Sequence, residues 1–287
     1  MANLNSLKNR ISVVTNTRKI TNAMQLVSTA KLRRIRNEFA SVDAYLNSLK
    51  DTFDELISHV EPRDFFNIFP ENKEVKSDLH IVMTSDLGLC GSYNHNIIKL
   101  LKTKIKPEDK IIVIGLKGYS MIQSMGAGEQ IVLKYTEIGE SVSYEIGTLI
   151  AKKALDLYRN KKIANVFFYY TEFINNILQE AVVLKLFPFD IPDKKETKTQ
   201  QANATIEFEP NSEVVLKNSI PLYLASMVFG LGTSSKISEM ASRRNAMENA
   251  TKNADDLIKD LRLQYNRKRQ SNITQEINEI VAGTDAT

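Results

Sequence analysis

LNSLKNRISVVTNTRKITNAMQLVSTAKLRRIRNEFASVDAYLNSLKDTFDELI, residues 4–57, decides the fold. Leu4, Leu7, Ile11 and Val14 step by three and four; Ile20, Met24 and Val27 resume the pattern. Ile35, Phe39, Val42, Leu46, Leu49, Phe53 and Leu56 then continue it. This spacing predicts a heptad seam on one helix, with a stutter between Val27 and Ile35. No Pro or Gly occurs before Pro62, so nothing local stops a helix from about residue 3 to 58. At 1.5 Å per residue it would be roughly 85 Å long. That exceeds a globular domain, so much of the helix is expected to pack on something outside its own core.

Beyond Pro62 the pattern changes. LHIVMTS (Leu79–Ser85), KIIVIG (Lys110–Gly115), QIVLKY (Gln130–Tyr135), NVFFYYT (Asn165–Thr171) and AVVLKLF (Ala181–Phe187) are short apolar, β-branched runs. They predict strands, several of them buried on both faces. Helices are expected between some of them: Tyr93 to about Ile105, Tyr119–Met125, and Ser141 to about Asn160. The alternation argues for a Rossmann-like open α/β sheet. Asp193–Thr205 is polar and reads as a loop, and Thr205–Glu209 as a last short strand.

From about Ser212 to Val281 the chain is helical again, with Gly230 and Gly232 expected to bend or interrupt it. Ala250, Ala254, Leu257, Leu261 and Tyr265 form its predicted seam, followed by Ile273, Ile277 and Ile280. Two long terminal helices with matching seams pair most simply as an antiparallel coiled coil. The fold class is therefore α/β with long helices: a coiled coil of both termini plus an open-sheet α/β domain. The expected domains are a shaft helix over 1–60, a globular foot over 75–210 and a second shaft helix over 211–287.

The 287 residues carry a formal net charge of +4 and 43% hydrophobic residues, which excludes wholesale disorder. No run of roughly 20 apolar residues predicts a membrane span, and the N-terminus has no signal-like apolar stretch. The single cysteine, Cys90, cannot close an intramolecular disulfide and reads as a packed turn thiol in a reducing, cytoplasmic compartment. There is no phosphate-binding G-x-x-x-x-G-K-[ST], no G-x-G-x-x-G after a strand, no H-E-x-x-H and no Cys/His cluster. No catalytic, cofactor-binding or metal-binding residue is assigned.

Charge is placed unevenly. Up to Asn37 the chain has Lys8, Arg10, Arg18, Lys19, Lys31, Arg33, Arg34 and Arg36 and no acidic residue. Solvated helices usually alternate signs, whereas a one-sign stripe repels itself unless an acidic partner surrounds it. Nucleic-acid binders interleave aromatics, and this helix has none before Phe39, so an acidic protein partner is preferred. A basic nucleic-acid-binding protein remains the alternative of another class, and a small-molecule enzyme on the sheet a third.

Three segments resemble the gamma subunit of F-type ATP synthases. They are Arg10–Arg34; the turn TSDLGLCGSYNHN (Thr84–Asn96); and the C-terminal signature, matched at Ser238, Glu239, Ala241, Arg243, Ala246, Met247, Asn249, Tyr265, Asn266, Arg269, Gln270, Ile273, Thr274, Glu276, Ile277 and Ile280. Leu87 stands where the family usually has Arg. Met240 replaces a polar residue, and the stretch 41–45 lacks the family's Arg-Pro before Tyr. Phe208 precedes Glu209 where many members have Tyr.

The resemblance implies a non-catalytic rotor shaft threading a hexamer of alpha and beta subunits and coupling rotation to ATP synthesis or hydrolysis. It implies shaft contacts at Arg10, Arg18, Lys19, Met24, Arg33, Arg34, Arg243, Arg269, Gln270, Ile273, Ile277 and Ile280. Tyr45, Phe208 and Glu209 would belong to a foot that meets an epsilon subunit and a membrane c-ring. The site would be peripheral, on the cytoplasmic face of the cell membrane, with no cofactor, no nucleic acid and no membrane insertion. A hydrolysis-only motor without the proton ring is the alternative within the family.

Overall fold

The computed structural model describes residues 3–139, 142–189 and 208–285, with the side chains of residues 40, 41 and 282–285 left outside that description. The chain divides into two compact units: residues 1–30 with 243–287, and residues 31–242. Each is described by itself.

Helix α1 runs Leu4–His59 without interruption, as the absence of Pro and Gly requires. It stops where Glu61, extended at φ −73° and ψ 134°, precedes Pro62; the proline ring disfavours helix in the residue before it. The same proline opens a short helix not expected from the sequence, α2 (Pro62–Ile68), from its first turn. All five expected strands form: β1 (Leu79–Met83), β2 (Lys110–Ile114), β3 (Ile131–Tyr135), β4 (Val166–Phe173) and β5 (Gln179–Phe187). Helices α3 (Tyr93–Lys102), α4 (Leu116–Ser124) and α5 (Tyr144–Arg159) fall between them. Ser143 caps α5, its hydroxyl accepting from the Ile146 N–H.

The sheet order is β3-β2-β1-β4-β5. The first four strands are parallel, joined by crossovers. β5 is antiparallel to β4, because residues 174–178 between them are too few for a crossover and close a hairpin instead. β4 pairs with β1 only over Val166–Tyr169, so Tyr170–Phe173 and their β5 partners continue as a two-stranded ribbon. Its turn is closed by Asn175, whose side-chain oxygen accepts from the N–H groups of Ile177 and Leu178.

Alternation along the strands sends side chains to two layers. Leu79, Ile81, Met83, Ile112, Ile114, Val166 and Phe168 meet residues of α1, α2, α5 and α6 in one core. Val82, Ile111, Val113 and Tyr169 meet Ile97, Leu101 and Ile122 of α3 and α4 in the other. A small third cluster joins Leu32 and Ile35 to Ile237, Met240 and Ala241, with Phe173 of the ribbon against it.

Helix α6 runs Ser212–Asp285, through Pro221 and both glycines. The expected interruption at Gly230 and Gly232 is absent, and their role is contact. A Cβ on Gly230 would fall 2.0 Å from Leu46, and one on Gly232 2.8 Å from Val142. The helix also carries an eighteen-residue window of mean hydropathy 1.5, contrary to the expectation that no stretch is apolar enough to cross a membrane. It is 56% buried inside the protein, and its residues from Leu216 to Leu231 fill the first core, which accounts for the hydropathy. The expected strand at Thr205–Glu209 lies outside the described residues up to 207, and Phe208 and Glu209 are not in a strand. The polar stretch Asp193–Thr205 lies wholly outside them.

Candidate partner-binding surface

The turn between β1 and α3 carries two glycines at a strand-to-helix junction, and its polar side chains are used in hydrogen bonds within the protein. The Asp86 carboxylate accepts from the N–H groups of Leu116, Glu137 and Ile138 at 3.0–3.1 Å, tying three loops together. Asn94 accepts from the Ser85 N–H and donates to the Ser85 hydroxyl and the Cys90 sulfur. Cys90 is buried, which matches a packed thiol. Gly91 has φ +60°, where glycine is the natural residue. Gly88 does not share that conformation; Leu89 does, at φ +62°.

In the unit made of both termini, α1 and α6 lie antiparallel. The Arg18 Nε donates to Asp255 Oδ1 at 2.6 Å, and the Thr21 and Thr251 hydroxyls meet at 2.8 Å, so the numbers fall on one helix as they rise on the other. On α1 the buried and half-buried positions in this unit are Leu4, Leu7, Ile11, Val14, Thr15, Arg18, Thr21, Met24, Gln25 and Ser28. On α6 they include Met247, Thr251, Ala254, Ile258, Leu261, Tyr265, Lys268 and Asn272. Each series contains an unbroken alternation of three and four residues, which on α1 runs Leu4, Leu7, Ile11, Val14, Arg18, Thr21, Gln25 and Ser28.

This corrects the expected seam. Ile20 is 60% exposed and Val27 54%, and Leu257 is exposed while its neighbour Ile258 is buried. No stutter separates the two runs. Polar residues fill the seam where an apolar search skips ahead, and their hydroxyls are satisfied within the helix. Ser28 Oγ donates to the Met24 carbonyl and Thr251 Oγ1 to that of Met247. Val13, Ile20 and Val27, seven apart, form a second apolar line that faces solvent. Leu26, Leu263, Ile273, Ile277, Ile280 and Val281 are exposed in the same unit.

The remaining assigned residues divide as follows. Arg10, Lys19, Arg269 and Gln270 are exposed and Met24 is half-buried. Arg18 has an acidic partner inside the chain, which the one-sign stripe did not lead one to expect. Arg243 is 7% exposed, so its charged head is not on the surface. In the larger unit, Arg33 and Arg34 are exposed on α1, with Arg34 3.8 Å from Glu38. Tyr45 is exposed, its hydroxyl 3.4 Å from Ser226 Oγ. Phe208 packs on the first core, and Glu209 is exposed.

A sequence profile of the ATP synthase family matches residues 3–287. The ATP synthase gamma chain of Mycoplasmopsis synoviae is 49% identical over 290 residues, covering all of both chains. The chain belongs to the ATP synthase gamma chain family. The gamma chain of Mycoplasmopsis pulmonis is 43% identical, covering 99% of each chain. Among solved structures, a chain of the Euglena gracilis mitochondrial ATP synthase rotor superposes with a TM-score of 0.72 at 16% identity, covering 94% of this chain and 98% of that one.

The gamma-chain signature at the C-terminal end does not begin in the coiled coil. Ser235 is fully buried; its hydroxyl accepts from the Thr171 N–H and lies 2.8 Å from the Tyr93 hydroxyl. Lys236 and Glu239 form an ion pair at 3.1 Å, each about as buried as a core leucine. Such a pair gains little net stability but is costly to break on one side. Ser235, just ahead of the signature, thus holds α6 to the sheet, and the signature's Glu239 is held by Lys236, roles that no residue pattern announces.

Proposed function

We propose that this chain, as the gamma subunit and central stalk of an F-type ATP synthase, contacts the surrounding alpha and beta subunits through the outward face of its paired termini. The observation that carries the reading is the exposed apolar line Val13, Ile20 and Val27. A two-helix unit has no need of a second apolar stripe, and exposed apolar surface of this kind marks a partner. Arg10, Lys19, Arg269 and Gln270 supply the charged and polar rim, and Ile273, Ile277 and Ile280 an apolar end suited to a dry bearing. Arg33 and Arg34 extend the basic set on the other unit.

On this reading the chain is non-catalytic. The two helices differ in sequence at every level of the shaft, so three equivalent catalytic sites around it would meet three different surfaces. Differential contact of that kind biases each site toward a different state. Tyr45, Phe208 and Glu209 are proposed as foot residues toward an epsilon subunit and a c-ring. The complex is placed peripherally on the cytoplasmic face of the cell membrane. No observation favours a hydrolysis-only motor or a nucleic-acid-binding role.

The test is reconstitution with the alpha and beta subunits encoded by the same cell. ATPase activity is expected to rise on adding this chain, and a bead on a cysteine introduced at the exposed Ser124 to revolve. Failure to associate, with no change in activity, overturns the proposal.

A further inference from the structure

We propose that the tip of the β4–β5 ribbon is a second contact of this chain with the surrounding alpha and beta subunits, apolar at its point and acidic behind it. The proposal rests on the gamma-subunit reading above and adds a surface outside the paired termini. Ile174, Ile177 and Leu178, in the turn 174–178, are 47%, 87% and 52% exposed. The turn is not loose. The Asn175 side chain accepts from two N–H groups, and the Asn175 N–H donates to the Leu178 carbonyl. An ordered backbone thus holds three large apolar side chains in water, where they add nothing to a core and mark a partner.

Behind the tip the ribbon places like charges together. Glu172 and Glu180 stand directly opposite each other on β4 and β5, and both are exposed. Neither has a cationic partner among the described residues. Like charges in that position destabilise a strand pair. Their neighbours Phe173 and Gln179 meet the helices instead. The Arg36 guanidinium lies 5.7 Å from the Phe173 ring centre, and the Ser242 hydroxyl donates to Gln179 Oε1 at 2.9 Å. An apolar point with two carboxylates behind it fits an apolar surface bordered by a lysine or arginine.

The place of the ribbon selects the partner. The first core takes Leu46, Phe53 and Ile57 from α1, whereas Phe173 of the ribbon packs with Leu32 and Ile35 and under Arg36. From Leu46 to Arg36 is roughly 15 Å along the helix at 1.5 Å per residue. On α6 the ribbon meets Ile237, Met240 and Ser242, beyond Leu231 of the first core. It therefore runs along both helices toward residues 30 and 243, where the paired termini begin. A hexamer that encloses those termini has its rim at that end of the ribbon. Apolar contact is non-directional, so the tip passes from one subunit to the next during rotation with no interlocked geometry to break.

The test uses the complex reconstituted from the full chain with the alpha and beta subunits. Ile177→Cys carries a benzophenone maleimide; Cys90 is buried and stays unlabelled under native conditions. Irradiation is expected to cross-link position 177 to alpha or beta, while the same label on Ser124→Cys, at the end of α4, gives no such product. Glu172→Gln with Glu180→Gln separates a contact from a structural role. It should raise the denaturant midpoint of the free chain, because the repulsion is gone, and lower the cross-linking yield severalfold, because the partner's cation loses its anions. An unchanged yield removes the carboxylates from the surface. A complex that assembles with full ATPase stimulation, yet gives no cross-link from position 177 to alpha or beta, overturns the proposal and leaves the rotor reading standing. Cross-linking only between copies of this chain overturns it as well. Failure to associate at all overturns the rotor reading, and this proposal with it.

Discussion

Gly115 adopts φ +99° at the end of β2, and a Cβ there would stand 2.4 Å from the Thr84 carbonyl oxygen. Both the backbone angle and the space exclude a side chain. Gly115→Ala should therefore destabilise the chain by about 3 kcal/mol, summing backbone strain and overpacking, as measured by denaturant unfolding. Thr84 itself donates to the Ile114 carbonyl and accepts from the Gly118 N–H, so the strand end cannot move aside. In the sequence, the glycines of GLKGYS show only that a phosphate-cradling loop is absent. That Gly115 and Gly118 both close on Thr84 is a contact between residues some thirty positions apart, which no local pattern contains.

At the scale of the element, α1 carries two apolar lines and the chain buries only one of them. Replacing Val13, Ile20 and Val27 together with Ser should change unfolding stability by no more than about 0.5 kcal/mol per site, since none is in a core. The same triple variant should lose most of the ATPase stimulation in a reconstituted complex. Ile258→Ala, inside the seam, should do the reverse at first order and cost the chain about 2–4 kcal/mol. If the triple variant unfolds the helix pair while stimulation by surviving protein is normal, the outward line is structural and the assignment of faces is wrong. Helix α1 itself was legible to within a residue or two because propensity and the lack of breakers act locally. Which line faced inward was not legible, because Arg18, Thr21 and Ser28 look like surface residues until their partners are known.

For the whole molecule, two of the three buried tyrosines of the first core, Tyr170 and Tyr223, give a pH signature. Burial disfavours the phenolate, raising Tyr170 and Tyr223 to about 12, with Glu172 and Asp54 respectively adding to the effect. Tyr223 is also stacked on Phe53 at 4.2 Å. An unfolded tyrosine ionises near pH 10. Above that pH the unfolded chain releases protons that the native chain still holds, so the stabilisation is complete below pH 10. It is lost progressively as pH rises toward the folded values, by about 2 kcal/mol per tyrosine. The denaturant midpoint should fall across that window, and phenolate absorbance should appear for these rings only on unfolding. Tyr223→Phe should flatten the fall; an unchanged slope would mean the ring is solvated.

By itself the sequence determined the two long helices, the three helices between the strands, the five strands, the absence of nucleotide and metal motifs and the family, because these depend on periodicity, breakers and contiguous motifs. The tertiary structure alone decided the antiparallel fifth strand, the continuity of α6 through two glycines, the burial of Arg243 and the pairing of Arg18 with Asp255. The physical reason is common to these. A backbone preference is carried by neighbours in the chain, whereas the inward or outward fate of a side chain is set by what packs against it. For α1 and α6, that neighbour lies more than two hundred residues away.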